Sequence, residues 1–425
     1  MTAMKAQDSR HPKALYCLVS GPVSGPVSGL SVTLLILLQQ HIPLAHDQKQ
    51  PIVDVSQTFH AIREDTMTAG TQKDWAGDAQ NASKDGEFKR DTNYIGDRIV
   101  ASATGNEGPL WPVQPHRYRL IAARACPWAH RAVIVRRLMG LEDVISMGLA
   151  GPTHDKRSWT FDLDPGGVDP VLQIPRLQDA YFARFPNYPR GITVPAIVEE
   201  ASGKVVTNDY NSMVRDFQTE WTAYHRPGAP NLLPPEEQRE EAEAINDFLF
   251  RKFNNGVYRA GFSASQNAYE EAYDDVFEVL DWLEDRLANH RFIMGEHITE
   301  TDVRAYTTLI RFDAVYHGHF KTNRNKITEM PNVYGYLREL FQTPGFGDTT
   351  DFTEIKQHYY IVHREVNPTQ IVPSGPDLSG LTQPHGRDHL PGSPFAAGTT
   401  LPGPLPESEK LKNPTDFQRE LFGLE

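Results

Sequence analysis

Cys126 is followed by Pro127, Trp128 and Ala129. A thiol does chemistry as the thiolate, so its surroundings decide whether it is a nucleophile or a small apolar filler. Pro127 cannot continue a strand ladder, but it suits the first turn of a helix. Cys126 is therefore expected at a strand-to-helix turn. Unpaired backbone N–H groups there favour an anion and should lower the thiol pKa. Neither Trp128 nor Ala129 is a second cysteine, so a mixed disulfide at Cys126 cannot be resolved within the motif. Disulfide chemistry at this residue needs a thiol from outside the domain. The alternative is a buried core cysteine. The chain of 425 residues holds one other cysteine, Cys17. It has no basic group beside it and is read as incidental.

The most abundant external thiol in the cytosol is glutathione, and two further features suit a small peptide. Val194-Pro195 lies inside an apolar run, Ile192 to Val198. A proline interrupts a ladder, so a central strand would not normally hold it. A cis peptide at the start of the strand resolves this, leaving the Val194 N–H and C=O to pair with an extended peptide. An ordinary edge-strand proline is the alternative. Thr207, Asn208 and Asp209 are N-cap types at a helix start. Such an end favours a carboxylate, and Asp209 can also receive an ammonium group. Simple capping is compatible with both.

These residues must be carried by elements. Tyr118 to Ala123 reads as a buried strand, Ala129 to Met139 as a helix stopped by Gly140, and Val144 to Met147 as a second strand. Residues 151–191, rich in Pro, Gly and Asp, read as a long loop insertion. Ile192 to Val198 and Lys204 to Val206 form a hairpin, followed by a helix from Tyr210 to Phe217. The order strand, helix, strand, hairpin, helix is the thioredoxin-type order. After Pro234-Pro235 the periodicity is helical throughout. Helices are expected over Pro235 to Asn254, Ser265 to Ala288, a third from a Thr299–Asp302 capping box to about Tyr316, and Val333 to Phe341. The fold class is thus α/β plus all-α. A thioredoxin-like domain spans 67–225, with an irregular arm at its start, and an all-helical substrate domain spans 235–366. Residues 367–425 form a proline-rich, extended tail with a short helix at Asp416 to Leu421.

Other features exclude function classes. Two cysteines rule out a disulfide scaffold and point to a reducing compartment. A net charge of -13 argues against nucleic-acid binding, which needs a basic face. No apolar run approaches the ~20 residues of a membrane span, so no membrane partner is expected. His317-Gly318-His319 has no third ligand nearby and makes a poor zinc site, so no metal is expected. His130, one helical turn after Cys126, is read as a packing or hydrogen-bonding residue. Glu236-Glu237 and Glu240-Glu241 are read as solvated helix surface. Residues 1–66 read as a disordered or targeting extension, or as a stretch upstream of a true start at Met67. The location expected is cytoplasmic, or mitochondrial if that extension is a transit peptide.

Cys126-Pro127-Trp128-Ala129-His130-Arg131 resembles the Cys-Pro-Trp-Ala-His-Arg motif of the glutathionyl-hydroquinone reductases, the xi class of glutathione transferases. Lys84 to Arg90, Asn254 to Phe262, Arg311 to Lys321 and Asn367 to Pro373 are similar to further segments of that family. The resemblance covers roughly residues 80–376 and implies a thioredoxin-like domain, a helical domain and a homodimer. It implies that Cys126 attacks the glutathione sulfur of a glutathionyl-hydroquinone, leaving a mixed disulfide that a second glutathione resolves. By resemblance, Trp128 and Val194, with Pro195, hold glutathione, while Tyr258 and Tyr316 line the hydroquinone pocket. A phenol hydroxyl there can stabilise the aromatic oxygen as the product departs. One departure stands out. Where the family has Asn-Asn-Glu-Ser-Ser-Glu, this chain has Thr207-Asn208-Asp209-Tyr210-Asn211-Ser212. Asp209 keeps the charge on a shorter stem, and Tyr210 replaces a small hydroxyl with a ring, both at the γ-glutamyl end of glutathione. That departure motivates a second reading, a transferase-like binding module. A third is a conjugating transferase, which normally has Ser or Tyr in place of Cys126.

Overall fold

The computed structural model describes residues 86–102 and 110–424. Expectations placed on Cys17, on residues 1–66, on Lys84 and on the first part of the arm lie outside the described residues. The described part of the arm carries no helix, yet Phe88, Ile95, Ile99 and Trp111 are buried in the core.

Strand β1 (Tyr118–Ala122) is buried at every position. It runs parallel to β2 (Ile145–Leu149) and antiparallel to β5 (Ala196–Glu199), which pairs with β6 (Lys204–Thr207). The sheet order is β2-β1-β5-β6, the thioredoxin arrangement that the element order implied. Between β1 and β2 runs helix α1 (Pro127–Met139), with Pro127 in its first turn and Gly140 closing it in the left-handed conformation. Every residue of α1 is buried, because it packs on helix α3 (Tyr210–Thr219) on one side and on the helical domain on the other. Its polar residues therefore need partners. Arg136 pairs with Glu409, Arg137 with Asp348, and Arg131 donates to Asn254 Oδ1 at 2.9 Å.

Residues 151–191 are not a plain loop. They hold a small hairpin, β3 (His154–Asp155) and β4 (Ser158–Trp159), and helix α2 (Leu177–Arg184). Leu177, Ala180 and Tyr181, at helical spacing, are buried. Arg184 at the end of α2 donates to the Val206 carbonyl at 2.7 Å, and the Tyr181 hydroxyl donates to the Thr193 carbonyl at 2.9 Å. The Val194–Pro195 peptide is cis.

The helical domain comprises α4 (Arg239–Leu249), α5 (Gly256–Gly261), α6 (Gln266–Leu287), α7 (Glu300–Arg311), α8 (Pro331–Gln342) and α9 (Phe352–Val362). Thr299 and Asp302 form the expected capping box on α7. π-helical turns at Phe250–Asn254 and Phe312–Tyr316 extend α4 and α7. Helices α5 and α9 were not expected from the sequence. The tail also differs from expectation. Its helix α10 (Asp416–Phe422) is present, but the tail, this helix included, is built into the body. Arg387 donates to the carbonyls of Leu287, Asn332, His290 and Arg291. Buried Gln418 donates to those of Gly347 and Thr350. A proline-rich segment lacks a periodic pattern, yet side chains with fixed partners still order it.

Candidate active site

Cys126 is the N-cap of α1. Its Sγ accepts from the Ala129 N–H at 3.5 Å and donates to the Val194 carbonyl at 3.4 Å. Arg311, fully buried on α7, fixes the turn that presents it, donating to the carbonyls of Ala125 at 3.0 Å and Arg124 at 2.9 Å. The same guanidinium meets His130 Nδ1 at 3.2 Å. Arginine can only donate, so His130 Nδ1 is the acceptor and Nε2–H donates to Thr349 Oγ1 at 2.9 Å. Burial and the neighbouring arginines hold His130 well below its ordinary pKa. It is a neutral strut rather than a titrating partner of the thiol.

The expected fall in the Cys126 pKa is overturned. Burial pushes the thiol up, against the opposing pull of the Ala129 and Trp128 N–H groups and of Arg311 and Arg90. The helix start does favour the anion, but desolvation by the surrounding rings outweighs it.

Cys126 lines a cavity of about 90 Å³ together with Trp128, Val194, Tyr258 and Tyr359. Tyr258 comes from α5 and Tyr359 from α9, and their hydroxyls lie 2.5 Å apart. Tyr316 does not line this cavity. It is fully buried behind Tyr359, whose hydroxyl it meets at 3.0 Å. Burial raises the pKa of all three phenols, so each is a neutral donor. Phe320 packs against both Tyr258 and Tyr316. Gly261 permits this approach, since a Cβ there would lie 2.2 Å from the Phe320 ring.

Trp128 separates this cavity from a second one. Tyr210 lies against the Trp128 ring, with centroids 5.1 Å apart. The guanidinium of Arg131 sits 4.7 Å from the Trp128 ring, and that of Arg90 lies 4.9 Å from Trp128 and 4.6 Å from Tyr258. The second cavity, about 510 Å³, is lined by Asp209, Tyr210, Tyr94 and Arg304 among others. Asp209 caps α3, accepting from the N–H groups of Asn211 and Ser212 and from the Ser212 hydroxyl at 2.7 Å. Its carboxylate is thus already committed to its own helix. Pro195 is buried next to Val194, and Val194 rather than Pro195 lines the first cavity.

Sequence reasoning missed Tyr359, Arg90 and Arg311, and it missed a histidine-rich wall. His358 on α9 and His363 just beyond its end, with His154 and Trp159 from the β3–β4 hairpin, line the Cys126 cavity. His319, weighed above as half of a metal pair, instead lies with its Nε2 3.3 Å from His363 Nδ1. Among the described residues no group of three or more His, Cys, Asp or Glu is placed to hold a metal ion. None of the described helices is long and apolar enough to cross a membrane.

A thioredoxin-like sheet, an N-capping cysteine and a following helical domain define a glutathione transferase. The family models agree: residues 125–220 match the N-terminal domain of glutathione S-transferases and residues 266–339 match the C-terminal domain. The chain is 39% identical over 312 residues to glutathionyl-hydroquinone reductase YqjG of Escherichia coli, covering 72% of this chain and 94% of that protein. It is 38% identical over 305 residues to glutathionyl-hydroquinone reductase PcpF of Sphingobium chlorophenolicum, covering 69% and 95%. Among solved structures it resembles a glutathione transferase from Gordonia bronchialis (TM-score 0.72, 61% identity, 75% of this chain and 98% of that one). It also resembles the glutathione-bound structure of YqjG (TM-score 0.63, 37% identity, 68% and 95%). The chain belongs to the glutathionyl-hydroquinone reductases, the xi class of the glutathione transferase family, and it is an enzyme.

Proposed function

We propose that this enzyme reduces glutathionyl-hydroquinones to hydroquinones through a mixed disulfide at Cys126. One observation carries the reading: a lone cysteine thiol at a helix start shares a cavity with two phenol hydroxyls in contact with each other. A proton first adds to the ring carbon that bears sulfur, giving the keto tautomer of the substrate. The Cys126 thiolate attacks the glutathione sulfur, forming an S–S bond as that C–S bond breaks. The electron pair passes into an enolate, whose oxygen accepts a hydrogen bond from the Tyr258–Tyr359 hydroxyl pair and takes up a proton to give the hydroquinone. A second glutathione thiolate attacks the mixed disulfide, releasing oxidised glutathione and restoring Cys126. The substrate's thioether sulfur and one added glutathione thiol end as a disulfide while the ring carbon exchanges sulfur for hydrogen, so the reaction balances without a protein dithiol or a metal. The Val194 carbonyl, which now accepts from the Cys126 thiol, is also the group an incoming peptide N–H would engage. Substrate binding would therefore remove a contact that favours the protonated thiol. As implied for the family, the working form is a homodimer. Intact-mass analysis after quenching with a glutathionyl-hydroquinone tests the reading: one glutathionyl adduct at Cys126 is expected. Conjugation of glutathione to electrophiles with no adduct and no hydroquinone release would sink it.

Two further outcomes are expected. Tyr359→Phe removes the hydroxyl that links Tyr258 and Tyr316, and kcat should fall roughly 10²–10³-fold with KM little changed, as for loss of one oxyanion donor. Steady-state kinetics on a glutathionyl-hydroquinone decide it. Tyr210→Ser restores a small hydroxyl at the γ-glutamyl end. Glutathione should then bind about tenfold more tightly by calorimetry, one good hydrogen bond to a charged group. Unchanged or weaker binding would mean that the Tyr210 ring, packed on Trp128, is itself part of the thiol site.

A further inference from the structure

We propose that His358 selects the substrate by its free aromatic hydroxyl, presenting a bare Nε2 lone pair to the Cys126 cavity as a hydrogen-bond acceptor. The inference rests on the proposed thiol-transfer reaction and names how its substrate is recognised.

His358 Nδ1 lies 2.8 Å from the Pro152 carbonyl oxygen. A carbonyl can only accept, so Nδ1 carries the hydrogen. In a neutral imidazole Nε2 is then unprotonated. Burial, with His154, Arg311 and His319 adding to it, holds the ring neutral, with its pKa lowered to about 3. The ring cannot turn freely. Trp159 stacks on its face at 5.0 Å and 15°, His154 lies 5.5 Å away, and Tyr359 and His363 close the other sides at 5.4 and 5.6 Å. The hairpin that supplies His154 and Trp159, with Pro152 just before it, therefore fixes both the tautomer and the orientation of a residue on α9.

The wall of the Cys126 cavity thus combines two complementary functions. Tyr258 and Tyr359 are neutral phenols that can donate, while the adjacent His358 can only accept. A hydroquinone carries hydroxyls that satisfy both. A quinone offers only acceptors, and an O-alkylated ring has lost the donor, so either would leave the Nε2 lone pair unpaired in a buried cavity. Sites built around a substrate hydroxyl reject analogues lacking it for this reason. His358 touches the aromatic group rather than the sulfur, so it acts on the choice of ring.

The test compares a glutathionyl-hydroquinone with its two mono-O-methyl ethers, using wild-type enzyme, His358→Phe and His358→Asn. Wild-type enzyme should prefer the free hydroquinone over one of the ethers by about tenfold or more in kcat/KM, mainly through KM. His358→Phe keeps the stacking on Trp159 but not the acceptor, and should bring that preference to near unity. His358→Asn retains a donor for Pro152 and an acceptor for the cavity, and should keep most of it. An undiminished preference in His358→Phe, or an equal loss on all three substrates, overturns the proposal. If His358→Phe does not fold, the wild-type ratio decides, and equal rates on all three substrates overturn it. Turnover of none of them by wild-type enzyme would overturn the underlying reaction as well, which separates the two failures.

Discussion

Replacing Cys126 with alanine should lower deglutathionylation of a glutathionyl-hydroquinone by at least roughly 10³-fold, with no mixed disulfide in intact-mass spectra. Removing the nucleophile of a covalent mechanism costs more than any single donor, because both half-reactions pass through it. Cys126 is the free cysteine of the described residues, and no second thiol follows it in the motif. Cys126→Ser should be nearly as inactive, since a serine hydroxyl cannot form the disulfide, although it could cap α1. Retention of a tenth or more of the activity would remove Cys126 from the reaction. The pH dependence follows from burial. The folded thiol pKa lies above its ordinary value, so the protonated form predominates at neutral pH in the substrate-free enzyme. Alkylation by iodoacetamide should therefore keep rising with pH through and beyond about 8.5, the free-thiol value. A rate already at its plateau at pH 7 would show that the N–H groups and Arg311 outweigh desolvation. The sign for stability is the same. The folded state favours the neutral thiol, so this group takes stability away only as pH rises above the free-thiol value.

The parts of the site legible in the sequence were those set by local rules. Cys126-Pro127 announces a helix start, Gly140 its stop, Thr299 and Asp302 a capping box, and Val194-Pro195 a break in a strand. Each depends on residues within a few positions of one another. Helix α9 was not legible. Its sequence, Phe352 to Val362, is rich in β-branched and aromatic residues with modest helix propensity. Packing of Phe352, Ile355 and Tyr359 into the core holds it instead. With α9 and the residue just after it went Tyr359, His358 and His363, three side chains of the cavity wall. Tyr316 was named in place of Tyr359 for the same reason. The resemblance reached its segment, but only the folded chain shows which phenol faces the cavity. The sign of the thiol shift failed on a related ground, since desolvation is a sum over distant segments that no local motif reports. The 151–191 stretch hid α2 and the hairpin because its turn residues dominate the composition.

Glu409→Ala should destabilise the fold by about 3–5 kcal/mol, the cost of leaving a buried charge without its partner. Glu409 belongs to the proline-rich tail, yet it pairs bidentately with Arg136, Nη1 to Oε2 at 2.9 Å and Nη2 to Oε1 at 2.7 Å. Arg136 is completely buried on α1, the helix that Cys126 caps. It retains the carbonyls of Ile145 and Glu142, but neutral carbonyls do not replace a carboxylate. Thermal unfolding should drop by roughly 6–10 °C, at about 2 °C per kcal/mol for a large domain. The double variant Arg136→Met/Glu409→Met should recover much of the loss, because the cost lies in the unpaired charge rather than in the absence of the pair. A Glu409→Ala melting temperature within 2 °C of wild type, roughly 1 kcal/mol, would mean that water or another group reaches Arg136 and that the tail is an appendage. The expected result instead makes the tail part of the active-site scaffold. A single buried ion pair ties residues 273 positions apart and clamps the helix whose first turn presents the thiol. Loosening it should then cost activity as well as stability at temperatures where α1 is still folded.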